Sequence, residues 1–293
     1  MIEVIGKKYV TPFSNGILAG SLMKAGLDVD KAYEMAKDIR QNILASSTSR
    51  ITEEELTSLT YQTLLDAGFL HVASYYQMWN SLRAEMRSII ILLGGATGIG
   101  KSTVASELSY RLGIHSIIGT DIVREVMRKM VSRDLLPTLH TSSFGAWKAV
   151  AAPSSYLSSV IYAFELQVSH ISVGVNAIIQ RAFNEGVSLV VEGIHLVPGY
   201  VYSPEETMFH FILKLSDKKE HINRFHTRGK DSKRPAETYI EEIDRIRQVQ
   251  DHIVGRAHKY EVPVLENKTL GGTVTQILNI IYRKLQKEAE NHE

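Results

Sequence analysis

Apolar positions along the chain follow two regimes that change near residue 87. In the first, Ile2-Glu3-Val4-Ile5 alternates like a short strand, and Gly6-Lys7-Lys8 turns it toward a second at Tyr9-Val10. Helical spacing then takes over. Ser14 is placed to cap a helix carrying Ile17, Leu18, Leu22 and Met23 up to Gly26. Asp28 or Asp30 opens a second helix with Ala32, Met35, Ala36, Ile39 and Ile43. Thr52-Glu53-Glu54-Glu55 is a capping-box pattern for a third, and a fourth is expected over about Leu70 to Met86.

From residue 88 onward, β-branched apolar runs alternate with amphipathic stretches, which predicts an α/β fold around a mostly parallel sheet. The strands read as Ile89–Leu93, His115–Thr120, Ser188–Val191, Phe209–Leu215 and Val262–Asn267. The helices between them carry Val104, Leu108 and Leu112; Ile122, Val123, Val126 and Met130; then a long stretch from about Tyr156 to Glu185. Tyr239, Ile243, Ile246, Val249, Ile253, Ala257 and Tyr260 predict one continuous amphipathic helix, and a last one covers about Gly272 to Ala289. A domain of 1–87 followed by one of 88–293 is the expected organisation, and 293 residues are enough for two cores.

The sharpest chemical signal sits between the first apolar run of the second regime and its helix. Gly95-Ala96-Thr97-Gly98-Ile99-Gly100-Lys101-Ser102 fits the phosphate-binding loop G-x-x-x-x-G-K-[ST], here between a predicted strand and a predicted helix. Backbone N–H groups of such a loop and the helix dipole favour a triphosphate. Lys101 would reach the β- and γ-phosphates, the Ser102 hydroxyl would join a Mg²⁺ shell, and Thr103 continues the site. A nucleoside triphosphate and Mg²⁺ are therefore the expected cofactors.

Other candidates lie at predicted strand ends, the edge where open α/β sheets bind ligands. Asp121 could accept a proton from an acceptor hydroxyl, with Arg124 and Arg128 four apart on the following helix to grip an anion. His140 and Ser143 could contact phosphate or carboxylate oxygens. Glu192 ends a strand where a metal-organising or activating carboxylate is expected, followed by Gly193 and His195 beside the crevice. The basic stretch at about 217–236 contains Arg224, Arg228 and Arg234 and reads as a cationic lid over the triphosphate. In that lid Arg224 is the nucleotide candidate, Arg228 the partner of the transferring phosphoryl group and Arg234 an acceptor contact. Arg256 is a secondary phosphate candidate. Which of Asp121 and Glu192 serves as base and which organises the metal stays open.

Composition narrows the partners. Lys plus Arg number 33 against 32 acidic residues, so no overall field recruits nucleic acid or an anionic membrane. Cysteine is absent, which excludes thiolate metal sites and cysteine nucleophiles. The apolar runs are strand-sized and no secretory signal is apparent, so a cytoplasmic protein is expected. Homo-oligomerisation is left open.

Two resemblances extend this reading over nearly the whole chain. The leading strands, Pro12-Phe13-Ser14, Ala25-Gly26, the Thr52 box and Tyr75-Tyr76-Gln77-Met78-Trp79 are similar to the ATP-cone, a small nucleotide-binding regulatory domain. That similarity implies a nucleotide contact at Lys7, Lys8 and Ser14. The loop from Gly94 to Thr103, Thr120-Asp121 with Arg124 to Arg128, Leu136-Pro137-Thr138-Leu139-His140 with Ser143 and Trp147, and Val191-Glu192-Gly193-Ile194-His195-Leu196-Val197-Pro198-Gly199 resemble the archaeal 2-phosphoglycerate kinase family. The resemblance implies a three-layer P-loop kinase fold and transfer of the ATP γ-phosphoryl group to the hydroxyl of 2-phosphoglycerate, feeding cyclic 2,3-diphosphoglycerate. A kinase for another phosphorylated sugar, acid or inositol, a non-catalytic NTP sensor, and a nucleic-acid kinase are the competing readings.

Overall fold

The computed structural model describes residues 2–6, 9–46, 49–84, 88–156, 158–201, 208–231 and 236–292. Lys7, Lys8 and Arg234 lie outside the described residues, as does the side chain of Arg228. The chain divides into two compact units, Met1–Arg87 with Tyr110–Gly113, and Ser88–Ser109 with Ile114–Glu293.

In the first unit, β1 (Glu3–Ile5) pairs antiparallel with β2 (Val10–Pro12) and parallel with β3 (Arg50–Thr52). Of the four helices, three follow from their caps. Ser14 Oγ accepts from the Ile17 amide at the start of α1 (Asn15–Lys24), and Asp28 accepts from the Lys31 amide at 3.1 Å to open α2 (Val29–Ala45). Thr52 and Glu55 close a reciprocal capping box on α3 (Glu53–Asp66), and α4 is Leu70–Ala84. Leu22, Ala32, Ala36, Ile39 and Leu64 are fully enclosed at the centre of this unit. β3 is not foreseen by the apolar pattern: only Ile51 of its three residues is buried.

The second unit is built on five parallel strands in the order β5-β6-β4-β7-β8, with β4 Ile90–Gly94, β5 Ser116–Gly119, β6 Leu189–Gly193, β7 Met208–Lys214 and β8 Val264–Glu266. Every residue of β4 is buried, as its unbroken apolar run requires of a central strand. On one face Ile90, Leu92, Leu189 and Val191 pack against Ile171, Val175 and Ile179 of the long helix α7 (Ser159–Asn184). On the other, Ile91, Leu93, Phe211 and Leu213 are also enclosed, and Lys284 of α11 (Leu270–His292) lies over the Phe209 ring. The remaining helices are α5 (Lys101–Leu112), α6 (Thr120–Met130), α8 (Lys218–Asp231), α9 (Ala236–Glu241) and α10 (Ile243–Lys259). Helices on both faces of a parallel sheet give the three-layer α/β fold expected of a P-loop kinase.

One expectation changes. The single helix predicted through Tyr239 to Tyr260 is interrupted at Glu242, which separates α9 from α10. The apolar spacing continues across the break; the interruption coincides with Glu242 receiving Lys148 and Arg245 on its carboxylate. Most of the basic stretch is regular helix, α8. Among the described residues no helix is long and apolar enough to cross a membrane.

Candidate active site

β4 delivers the chain to the glycine loop, and α5 begins at Lys101 immediately after it. Gly98 and Gly100 take φ +85° and +90° with Ile99 at negative φ between them. This alternation turns successive N–H groups into an anion-binding nest. The loop's carbonyls are tethered from outside. Lys101 Nζ, largely buried, donates to Ala96 O at 2.7 Å, and His221 Nε2 donates to Thr97 O at 2.8 Å. Ile99 O accepts from both Asn267 Nδ2 at 2.7 Å and Arg224 Nη1 at 3.0 Å. A Cβ at Gly98 would sit 2.5 Å from the Phe225 ring, so glycine is required there for contact as well as conformation. Ser102 and Thr103 are exposed at the first turn of α5.

Strand register brings the carboxylates to the same edge. Glu192 pairs with Leu93 on β4 and with Gly119 on β5, so the ends of β4, β5 and β6 align. The Ser102 hydroxyl donates to Glu192 Oε1 at 2.9 Å. Asp121, two residues beyond Gly119, is 60% exposed and lies 3.6 Å from Arg124 Nη2. Arg124 is only 17% exposed; its Nη1 donates to Thr141 O at 2.5 Å, and its buried Nε meets no acceptor among the described residues. Arg128 pairs with Glu125 at 2.8 Å on the surface of α6.

Comparison with known proteins places this arrangement. A family described as AAA domain matches residues 91–250. A 2-phosphoglycerate kinase of Pyrococcus horikoshii is 45% identical over 97% of this chain and 95% of its own length. The Thermococcus kodakarensis 2-phosphoglycerate kinase is 44% identical over 96% of each chain, and that of Methanothermobacter thermautotrophicus 38% identical over 98% and 96%. The chain belongs to the 2-phosphoglycerate kinase family.

Several residues expected at the acceptor crevice of this 2-phosphoglycerate kinase family member are instead engaged inside the fold. His195 has no exposed surface, which corrects the expectation that it faces a ligand. Thr120 Oγ1 lies 2.8 Å from its Nδ1, and Ser143 Oγ and Gln167 Oε1 lie 3.1 and 3.2 Å from its Nε2. The Gln167 amide N–H groups go to the carbonyls of Thr138 and Thr141, so its oxygen must accept. His195 therefore carries its proton on Nε2, and the Thr120 hydroxyl donates to Nδ1. Ser143 is buried in the same cluster, and Gly193 admits Thr120: a Cβ there would lie 1.8 Å from Thr120 Oγ1. His140 Nε2 donates to Val131 O at 3.0 Å. Arg224 Nη2 donates to Asn267 O at 2.7 Å, so this guanidinium braces the phosphate loop through carbonyls. Arg256 lies against the Tyr200 and Tyr260 rings and its Nε donates to Pro198 O. His221, Phe225, Asn267 and Gln167 have site-building contacts that no motif announces.

Burial holds His195 neutral, pushing its pKa down to about 3, with Asp121 opposing the shift and Arg124 and Lys101 adding to it. Burial likewise lowers His210 to about 4, against the opposing bond to Leu196 O. Unfolded histidines protonate near 6.5, so below that pH the unfolded chain takes up protons that the folded chain refuses. Stability is expected to fall as pH drops from about 6.5, by about 1.4 kcal/mol per pH unit for each buried ring. Urea unfolding at a series of pH values checks this, and His210→Gln should flatten the slope.

Proposed function

We propose that this chain is an ATP-dependent 2-phosphoglycerate kinase, giving 2,3-bisphosphoglycerate and ADP. The reading is carried by the convergence of the phosphate loop, Glu192 and Asp121 on one edge of the sheet, in a chain whose relatives bear that activity in their names. Phosphoryl transfer asks for positioning and charge stabilisation more than covalent chemistry. The loop amides and Lys101 hold the triphosphate. Asp121 orients the acceptor hydroxyl and takes its proton as the hydroxyl oxygen bonds to the γ-phosphorus and the bond to ADP breaks. Arg124 offers a buried N–H with no acceptor among the described residues, a costly state that a phosphate or carboxylate of the acceptor would relieve.

The Ser102 hydroxyl and Glu192 carboxylate, in contact at the mouth of the loop, are the hard oxygen donors that suit Mg²⁺. Mg²⁺ usually takes one or two protein donors and completes its shell with water and substrate phosphates, so these two side chains are a sufficient protein share. When bound, the ion would neutralise charge on the β- and γ-phosphate oxygens. Arg228 remains a candidate for charge on the transferring phosphoryl group, and Arg234 for contact with the acceptor. The N-terminal unit we read as an accessory nucleotide-binding module, supported by its ATP-cone-like order of motifs.

Incubating the purified chain with γ-labelled ATP and a panel of acceptors tests the reading. Label is expected in bisphosphoglycerate when 2-phosphoglycerate is offered. Preferential labelling of a sugar or inositol phosphate would replace the substrate, and tight ATP binding without transfer to any acceptor would favour a sensor.

A further inference from the structure

Ser143 and Phe144, adjacent and both buried, start two chains of contact that leave in different directions. Ser143 reaches His195, which holds Thr120, the residue preceding Asp121. Phe144 leads away through rings. Its centroid is 5.7 Å from that of Tyr239 on α9, tilted by 59°. Tyr239 stacks on Phe225 of α8 at 5.0 Å and 8°, and Phe225 stacks on His221 at 5.1 Å and 17°. His221 ends the series with its bond to Thr97 O of the phosphate loop, while the Phe225 ring lies against Gly98. One dipeptide thus ties the acceptor carboxylate to the nucleotide loop.

We propose that the Phe144–Tyr239–Phe225–His221 stack is a positioning device that sets the separation between the phosphate loop and the Asp121 end of α6, with Tyr239 and Phe225 as its positioning residues. The inference rests on the phosphotransferase reading above. The Tyr239–Phe225 and Phe225–His221 pairs, near-parallel at 5.0 and 5.1 Å, form an offset stack of fixed thickness, with the tilted Phe144 ring against its end. Close-packed interiors transmit displacement instead of absorbing it. Gly98 has no side chain to cushion the contact, so a shift of the Phe225 ring is passed to the loop backbone. In-line transfer is sensitive to such shifts: a misplacement of about 1 Å can cost about 10²-fold in rate. No ring of the stack needs to touch a substrate for this effect.

The test separates acceptor alignment from loop integrity. For Tyr239→Leu in the full chain, transfer to the acceptor and the slow hydrolysis of ATP without acceptor are measured side by side. Whichever acceptor the panel identifies is used, so a wrong substrate assignment does not mask the result. Transfer kcat is expected to fall about 10–100-fold, with ATP KM and basal hydrolysis nearly unchanged, and Tyr239→Phe, which keeps the ring, should restore it. An equal fall in hydrolysis and transfer, or a fall in Tyr239→Phe matching that in Tyr239→Leu, overturns the proposal. So does unchanged transfer in Tyr239→Leu. Thermal unfolding verifies that the variant is folded; if it is not, Phe144→Leu carries the same comparison from the other end of the stack.

Discussion

Replacing Lys101 by alanine is expected to lower turnover by about 10²–10³-fold, the scale for removing one preorganised charge partner of a transition state. Lys101 starts α5 with its ammonium largely buried and held to Ala96 O. That bond keeps the charge folded over the loop, where triphosphate oxygens would replace the carbonyl. Because negative charge on the transferring group is spread in the transition state, the loss should appear in kcat more than in ATP KM. Steady-state rates at saturating acceptor, compared across ATP concentrations, measure the split. Turnover near that of the parent chain would remove the loop from the catalytic account. Lys101→Arg is a poor rescue, since a planar fork cannot reproduce a compact charge in this enclosed position.

How much of this could be read from the chain depends on how local each feature is. The phosphate loop occupies eight consecutive residues, and the strand before it is an unbroken apolar run, so both were visible at once. The capping box at Thr52 was equally plain, because its two hydrogen bonds span three residues. The braces on that loop were not. His221, Arg224 and Asn267 come from more than 120 residues downstream and meet the loop only after the sheet is assembled. Arg224 looked like a phosphate ligand because charge invites that reading, while three acceptors for it, Ile99 O, Asn267 O and Lys268 O, are backbone atoms that sequence cannot place. His195 fails for the same reason: a lone histidine reads alike whether it faces solvent or sits enclosed by Thr120, Ser143 and Gln167. The break at Glu242 was hidden by apolar spacing that runs straight through it.

The two carboxylates, interchangeable in the sequence, are expected to separate in their metal dependence. Glu192 touches the Ser102 hydroxyl at 2.9 Å, which aligns it with the metal side. Asp121 is mostly exposed, beside Arg124, which aligns it with the acceptor. Asp121→Asn is therefore expected to lower kcat by about 10²–10⁴-fold, the range for losing a general base, with the Mg²⁺ concentration for half-maximal rate unchanged. Glu192→Gln keeps the shape but removes the charge, so it should raise that Mg²⁺ concentration severalfold and lower the rate most when Mg²⁺ is scarce. Rates measured across a Mg²⁺ series for both variants decide the assignment. If Asp121→Asn shifted the metal requirement and Glu192→Gln did not, the roles would be exchanged. The contact between Ser102 and Glu192 would then be a resting hydrogen bond with no bearing on the ion.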